Sequence, residues 1–330
     1  MATTNLEPIL AVLPPEIRQA LSRIPPDTPI EELRLRAGLP CTFLTDGREE
    51  VLHTCGAPIH VTSAMLQRLV AAATHQSRYC AEEAISAGYL TLPGGHRIGL
   101  CGTAVLQGGA LQTIRTFSSL SIRIGRQYLA AAEPLLAPLG RGESLLLAGP
   151  PGSGKTTLLR DAVRLLSDKL EQRVGLCDER GEIAAVCDGV PQFSVGRHTD
   201  VMTGCGKEQA IQILVRTMNP QWIAVDEITQ SEDVAAMTQS SYCGVRFLAT
   251  AHAQNPQDLA NRPVYRQLLQ SGVFHAFAFL TEHKQLRLVG EEEIYGSSVR
   301  GRPARHCGGD SRLPAGQKDH FRIPDSAAAL

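Results

Sequence analysis

The run Gly149-Pro150-Pro151-Gly152-Ser153-Gly154-Lys155-Thr156 fits the phosphate-binding pattern G-x-x-x-x-G-K-[ST]. Glycines there let backbone amides turn toward phosphate oxygens where a side chain would obstruct them. Lys155 offers a point charge to β- and γ-phosphates, and the Thr156 hydroxyl can reach Mg²⁺. Thr157 opens the following helix, so the expected nucleotide-contacting set is Gly149, Pro150, Pro151, Gly152, Ser153, Gly154, Lys155, Thr156 and Thr157. Further along, the apolar run Ile223-Ala224-Val225 ends in Asp226-Glu227. Asp226 is expected to hold Mg²⁺, and Glu227 to orient or deprotonate an attacking water. A second acidic cluster, Asp178-Glu179-Arg180-Gly181-Glu182, follows another apolar run and is expected near the γ-phosphate, with Asp178 as a further Mg²⁺ ligand. His252 ends the run Thr250-Ala251-His252, where it can sense a γ-phosphate or hydrogen-bond to Glu227. Together these residues predict hydrolysis of ATP with Mg²⁺ by positioning and charge stabilisation, without covalent catalysis.

The elements that must position these residues follow from the pattern around them. Leu145-Leu146-Leu147-Ala148 reads as a buried strand before the glycine loop, and Thr157 to Leu166 repeats its apolar positions at helical spacing. Strands are expected at Arg173–Cys177, Trp222–Val225 and Val245–Thr250, with helices over Lys207–Arg216 and from Ser231 to about Tyr242. Phe274–Leu280 and Gln285–Val289 predict a closing hairpin through Glu282-His283. The result is an α/β fold: a P-loop NTPase domain with a mostly parallel sheet, RecA-like by the resemblance given below, preceded by a smaller α+β domain. Its parts are a proline-rich lead-in over 1–29, the α+β domain over 30–130, a linker over 131–143, the ATPase domain over 144–295 and a disordered tail over 296–330. In the α+β part, Asp46-Gly47 marks a hairpin and Thr62 or Ser63 caps a helix running to Ala73. Glycine turns are expected to separate strands at 96–100, 102–106 and 121–124.

Composition narrows the class. With 330 residues, 43% hydrophobic and 20% charged, the chain has room for about two packed domains. A net charge of −1 leaves no global basic field of the kind that marks a general nucleic-acid binder. The nine cysteines form no C-x-x-C and no zinc-spaced cluster, which predicts buried thiols in a reducing cytosol. No basic-then-apolar leader and no apolar run of membrane-spanning length is present, so membrane contact is expected through partners.

The order of these boxes resembles the secretion and pilus motor ATPases. The likeness is carried by Leu214-Val215-Arg216-Thr217-Met218-Asn219-Pro220 leading into the Asp226-Glu227 strand, and by Gly244-Val245-Arg246-Phe247-Leu248-Ala249-Thr250-Ala251-His252. Within that superfamily the chain resembles the family of stage III sporulation protein AA through Gly94-Gly95-His96-Arg97-Ile98-Gly99, Ser121-Ile122-Arg123-Ile124-Gly125, Asp178 to Ala184, and Thr199-Asp200-Val201. It departs from that family's pattern at Thr229-Gln230, where Gly-Arg usually stands. The resemblance implies a hexameric ATPase, cytoplasmic and peripherally bound, that energises a membrane channel complex between mother cell and forespore. It also implies arginines that reach a neighbour's nucleotide, for which Arg97, Arg115 and Arg123 are candidates, with Arg216 in the motif arginine's place. In some members the base comes from the acidic box, so Glu179 or Glu182 stands as an alternative to Glu227. Two other readings share the fold: a nucleic-acid-dependent RecA-like ATPase, and a nucleotide-gated scaffold without turnover.

Overall fold

The computed structural model describes residues 2–3, 6–25, 28–74, 88–295 and 321–322. The chain divides into two compact units, one built from 128–184 and 194 onward, the other from 2–127 and 185–193.

In the second of these, a six-stranded antiparallel sheet runs in the order Arg48–Val51, Thr42–Thr45, Ile30–Arg36, Ala110–Arg123, His96–Gln107, Tyr89–Leu92. Alternation turns Leu33 and Leu35 into the core beside Ile98, Leu120 and Ile122. Asp46 and Gly47 both take positive φ (48° and 73°), the geometry of a two-residue hairpin turn that Asp-Gly favours. Thr62 Oγ1 accepts from Met65 N at 3.2 Å and starts the helix Ser63–Ala73. The lead-in is a small helical element, as the run after Pro15 leads one to expect. Its helices Glu7–Val12 and Pro15–Leu21 each carry proline in the first turn, and Ile9, Leu13 and Ile17 are buried in this unit's core.

Two expectations are corrected here. The separate strands at 96–100 and 102–106 are one strand, His96–Gln107, with a register shift between Cys101 and Gly102. Gly102 is needed at that bulge because a Cβ would lie 2.0 Å from Thr116 O. The stretch Ala185–Phe193, inside the 144–295 range, clusters with the antiparallel unit: Gly94 N donates to Gln192 Oε1 at 2.9 Å.

The other unit holds an eight-stranded sheet in the order Thr199–Thr203, Val174–Asp178, Trp222–Val225, Arg246–His252, Leu145–Gly149, Ala276–Leu280, Gln285–Val289, Phe321–Arg322. The first six run parallel, and the last two join through antiparallel pairings, Gln285–Val289 alone running against the rest. The central strands Leu145–Gly149 and Trp222–Val225 are buried throughout, as their unbroken apolar runs require in a sheet covered on both faces. Helices Lys155–Asp168, Lys207–Met218 and Ser231–Ser241 pack in this unit. Two more, Pro256–Asn261 and Pro263–Ser271, were not anticipated. The expected disordered tail falls mostly outside the described residues, but Phe321–Arg322 within it is a strand paired with Gln285–Leu286.

Candidate active site

The glycine loop leaves strand Leu145–Gly149 and enters helix Lys155–Asp168. Gly149 is fixed by crowding: a Cβ there would lie 2.8 Å from both Leu280 O and Ser153 Oγ. Gly152 and Gly154 have φ of +73° and +94° with open space beside them, so the loop turns as only glycine does freely. Thr157 is buried in the first helical turn. Lys155 Nζ donates to Gly149 O at 3.0 Å and Pro150 O at 2.9 Å. Burial pushes this ammonium down to about 8, against the pull of Asp226 and Glu227.

Strands Leu145–Gly149 and Arg246–His252 pair in parallel with Gly149 opposite His252, which brings the strand-end side chains together. Lys155 Nζ lies 3.0 Å from His252 Nδ1, and His252 Nε2 lies 3.2 Å from Glu227 Oε1. A protonated lysine donates only, so Nδ1 accepts and the imidazole proton sits on Nε2, facing the carboxylate. A line of close contacts therefore runs from Lys155 through His252 to Glu227. Arg180 NH1 stands 3.5 Å from the other oxygen of Glu227. Beside this line Thr156 Oγ1 donates to Asp226 Oδ2 at 3.0 Å.

These residues fit a polyphosphate with a divalent cation. Ser153 is 1% exposed, and its buried Oγ has no hydrogen-bond partner among the described residues, an orphan polar atom inside the loop itself. A hydroxyl and a carboxylate side by side are oxygen donors of the kind Mg²⁺ takes, with phosphate and water completing its shell.

The acidic box does something other than expected. Asp178 is 2% exposed and its carboxylate accepts from Glu182 N, Ile183 N and Ala184 N at 2.8–3.2 Å. Burial raises its pKa, against the smaller opposing pull of these amides. Arg160, itself buried and lowered by burial to about 10, donates from Nε to Ile183 O at 2.6 Å and from NH2 to Glu182 O at 2.7 Å. Asp178 is thus the anchor of the 178–184 loop and not a metal ligand: its lone pairs are already spent on backbone. Asp178→Asn puts amide hydrogens against those donors. It is expected to cost about 2–4 kcal/mol and to lower the thermal midpoint by roughly 5–15 °C, read by a calorimetric melt.

Glu179 points to Lys207, with which it forms an ion pair, and so is not joined to the His252–Glu227 line. Glu182 lends its backbone to the loop's anchoring. Arg216 is exposed in the last turn of Lys207–Met218. That helix end feeds the start of strand Trp222–Val225, where Gln221 O accepts from Arg246 N at the neighbouring strand's start. Arg216 is therefore at the opposite end of the strands from Asp226, and the fold does not bring it to its own chain's site. Arg97, Arg115 and Arg123 lie on the antiparallel unit's long hairpin; the Arg97 guanidinium sits 3.6 Å from the Tyr89 ring centroid, and Arg115 and Arg123 are exposed. Residues that sequence reading missed include Lys207, Thr250 and Tyr265, whose hydroxyl accepts from His252 N at 2.9 Å.

A parallel sheet with a glycine loop after one central strand and carboxylates at the ends of two further parallel strands defines a RecA-like P-loop NTPase fold. The pilus retraction motor PilT, solved with bound ADP, shares that fold with a TM-score of 0.53 at 15% identity, over 86% of this chain and 82% of PilT. A family model for "Sporulation stage III, protein AA" matches residues 3–297, and the chain belongs to that family. Stage III sporulation protein AA of Bacillus subtilis (strain 168) is 36% identical over 284 residues, covering 84% of this chain and 91% of that protein. The uncharacterized protein ycf45 of Porphyra purpurea is 35% identical over 153 residues, 46% of this chain and 27% of its own length.

Proposed function

We propose that this chain is an Mg²⁺-dependent ATPase of the motor type, acting in stage III of sporulation. The observation that carries the reading is the line Lys155–His252–Glu227 beside the Thr156–Asp226 pair, all at one end of parallel strands. Thr156 and Asp226 are the residues that would hold the cation, which when bound neutralises charge on the β- and γ-phosphate oxygens. Lys155 exchanges Gly149 O, Pro150 O and His252 Nδ1 for phosphate oxygens. His252, no longer held from that side, keeps its Nε2 proton toward Glu227 and leaves its Nδ1 lone pair to accept from a water. Glu227 orients the attacking water and takes its proton, the role we assign it over Glu179, which is engaged by Lys207.

Family membership supports the cellular role: a homo-oligomer, hexameric by likeness to secretion motors, energising the channel complex between mother cell and forespore from the cytoplasmic side. Arg97, Arg115 and Arg123 are assigned to the nucleotide of a neighbouring subunit, stabilising transition-state charge. No helix among the described residues is long and apolar enough to cross a membrane.

Phosphate release by the purified chain, followed against protein concentration with and without single-stranded DNA, tests the reading. A rate per chain that climbs with concentration and ignores DNA is expected. Turnover that appears only with DNA moves the chain to the nucleic-acid-dependent class.

A further inference from the structure

Thr250 is wholly buried, yet its hydroxyl is committed on both sides. Oγ1 donates to Asp226 Oδ1 at 2.6 Å and accepts from Glu227 N at 2.7 Å. A carboxylate only accepts and an amide only donates, so the direction of both bonds is fixed and the hydroxyl has no free rotor state. The backbone of Thr250 adds a third tie, its carbonyl accepting from Ile228 N at 3.0 Å. Between these ties Glu227 adopts φ of 51°, a left-handed conformation that a residue with a Cβ enters at a cost. Oδ2, the other oxygen of Asp226, is left for Thr156.

We propose that Thr250 is the positioning residue of this site. Its hydroxyl selects which Asp226 oxygen faces the cation and holds the Asp226–Glu227 turn in the left-handed form that aims Glu227 at His252. The assignment rests on reading the site as an Mg²⁺-dependent ATPase. It reaches beyond that reading because it makes one neutral side chain on the next strand set the metal carboxylate and the base together. Groups that orient metal ligands in this way typically matter about 10–100-fold in metal affinity or activity.

The test compares wild type, Thr250→Val and Thr250→Ser by two readouts. One is Mn²⁺ binding in the presence of ADP, followed by electron paramagnetic resonance; the other is ATP turnover as a function of Mg²⁺. Thr250→Val keeps the shape and loses the hydroxyl; it is expected to weaken Mn²⁺ binding about tenfold or more and to lower kcat about 10–100-fold. ADP affinity without metal is expected to stay near the wild-type value. Thr250→Ser keeps the hydroxyl and is expected to restore both readouts to within about threefold. Unchanged Mn²⁺ binding in Thr250→Val overturns the assignment. So does a folded Thr250→Ser as impaired as Thr250→Val, since the methyl group would then be what matters. If Thr250→Val does not fold, Thr250→Ala takes its place; failure of both to fold assigns the hydroxyl to the fold and overturns the proposal. A wild type that binds Mn²⁺ with ADP yet never turns over breaks the ATPase reading alone and leaves the binding comparison decisive for Thr250.

Discussion

Glu227→Gln is expected to lower ATP turnover about 10²–10⁴-fold, the range set by loss of a positioned general base. The substitution keeps the shape of the side chain and one acceptor oxygen, so His252 Nε2 still faces an oxygen. It removes the negative charge that draws the water proton. Nucleotide affinity is expected to hold or tighten, because Glu227 lies on the line to His252 and not in the glycine loop. Equilibrium binding of a fluorescent ATP analogue beside steady-state phosphate release separates the two effects. Loss of binding in step with turnover would place Glu227 in the ground-state contacts instead.

Lys155→Ala is the second large effect. Lys155 is the cation of the glycine loop, so its removal is expected to cost about 10²–10³-fold in turnover, the scale of losing one preorganised charge at the transition state. Burial already pushes its ammonium down to about 8, so the fold holds that charge at a cost. Its loss is therefore expected to spare the melting temperature while ATP binding weakens. Thermal melts with and without ATP read both: the ATP-induced rise seen in wild type disappears in the variant, and the ligand-free midpoint stays in place.

The parts of this site that sequence reveals are those whose residues are contiguous. Gly149 to Thr156 is a loop with a local geometric need, and Asp226-Glu227 closes an apolar run that has no choice but to be a buried strand. Asp178 looked equivalent at its own strand end. Nothing local distinguishes a carboxylate that faces the crevice from one that folds back onto the amides of Glu182, Ile183 and Ala184. The Lys207–Glu179 and Thr250–Asp226 contacts join different elements, and no periodicity announces them. Arg216 was carried by its motif, but the direction of its helix takes it to the far end of the strands.

The same division holds for the fold. Strand Thr199–Thr203 is polar and half-buried at a sheet edge, so it lacks an apolar run to betray it. Helices Pro256–Asn261 and Pro263–Ser271 did leave a signal. Asn255 Oδ1 accepts from Asp258 N at 2.8 Å, an N-cap followed by proline that the residues Asn255-Pro256 spell out. Ala185–Phe193 could not be placed from order along the chain, since its partner Gly94 stands far upstream.

Single-turnover hydrolysis of ATP by purified wild type, Glu227→Gln and Glu179→Gln, each with Mg²⁺ and with a chelator, tests the central claim most directly. The account predicts phosphate release that requires Mg²⁺, survives Glu179→Gln and is lost in Glu227→Gln. Release that survives Glu227→Gln and is lost in Glu179→Gln, or ATP bound with Mg²⁺ and never cleaved by wild type, would contradict it.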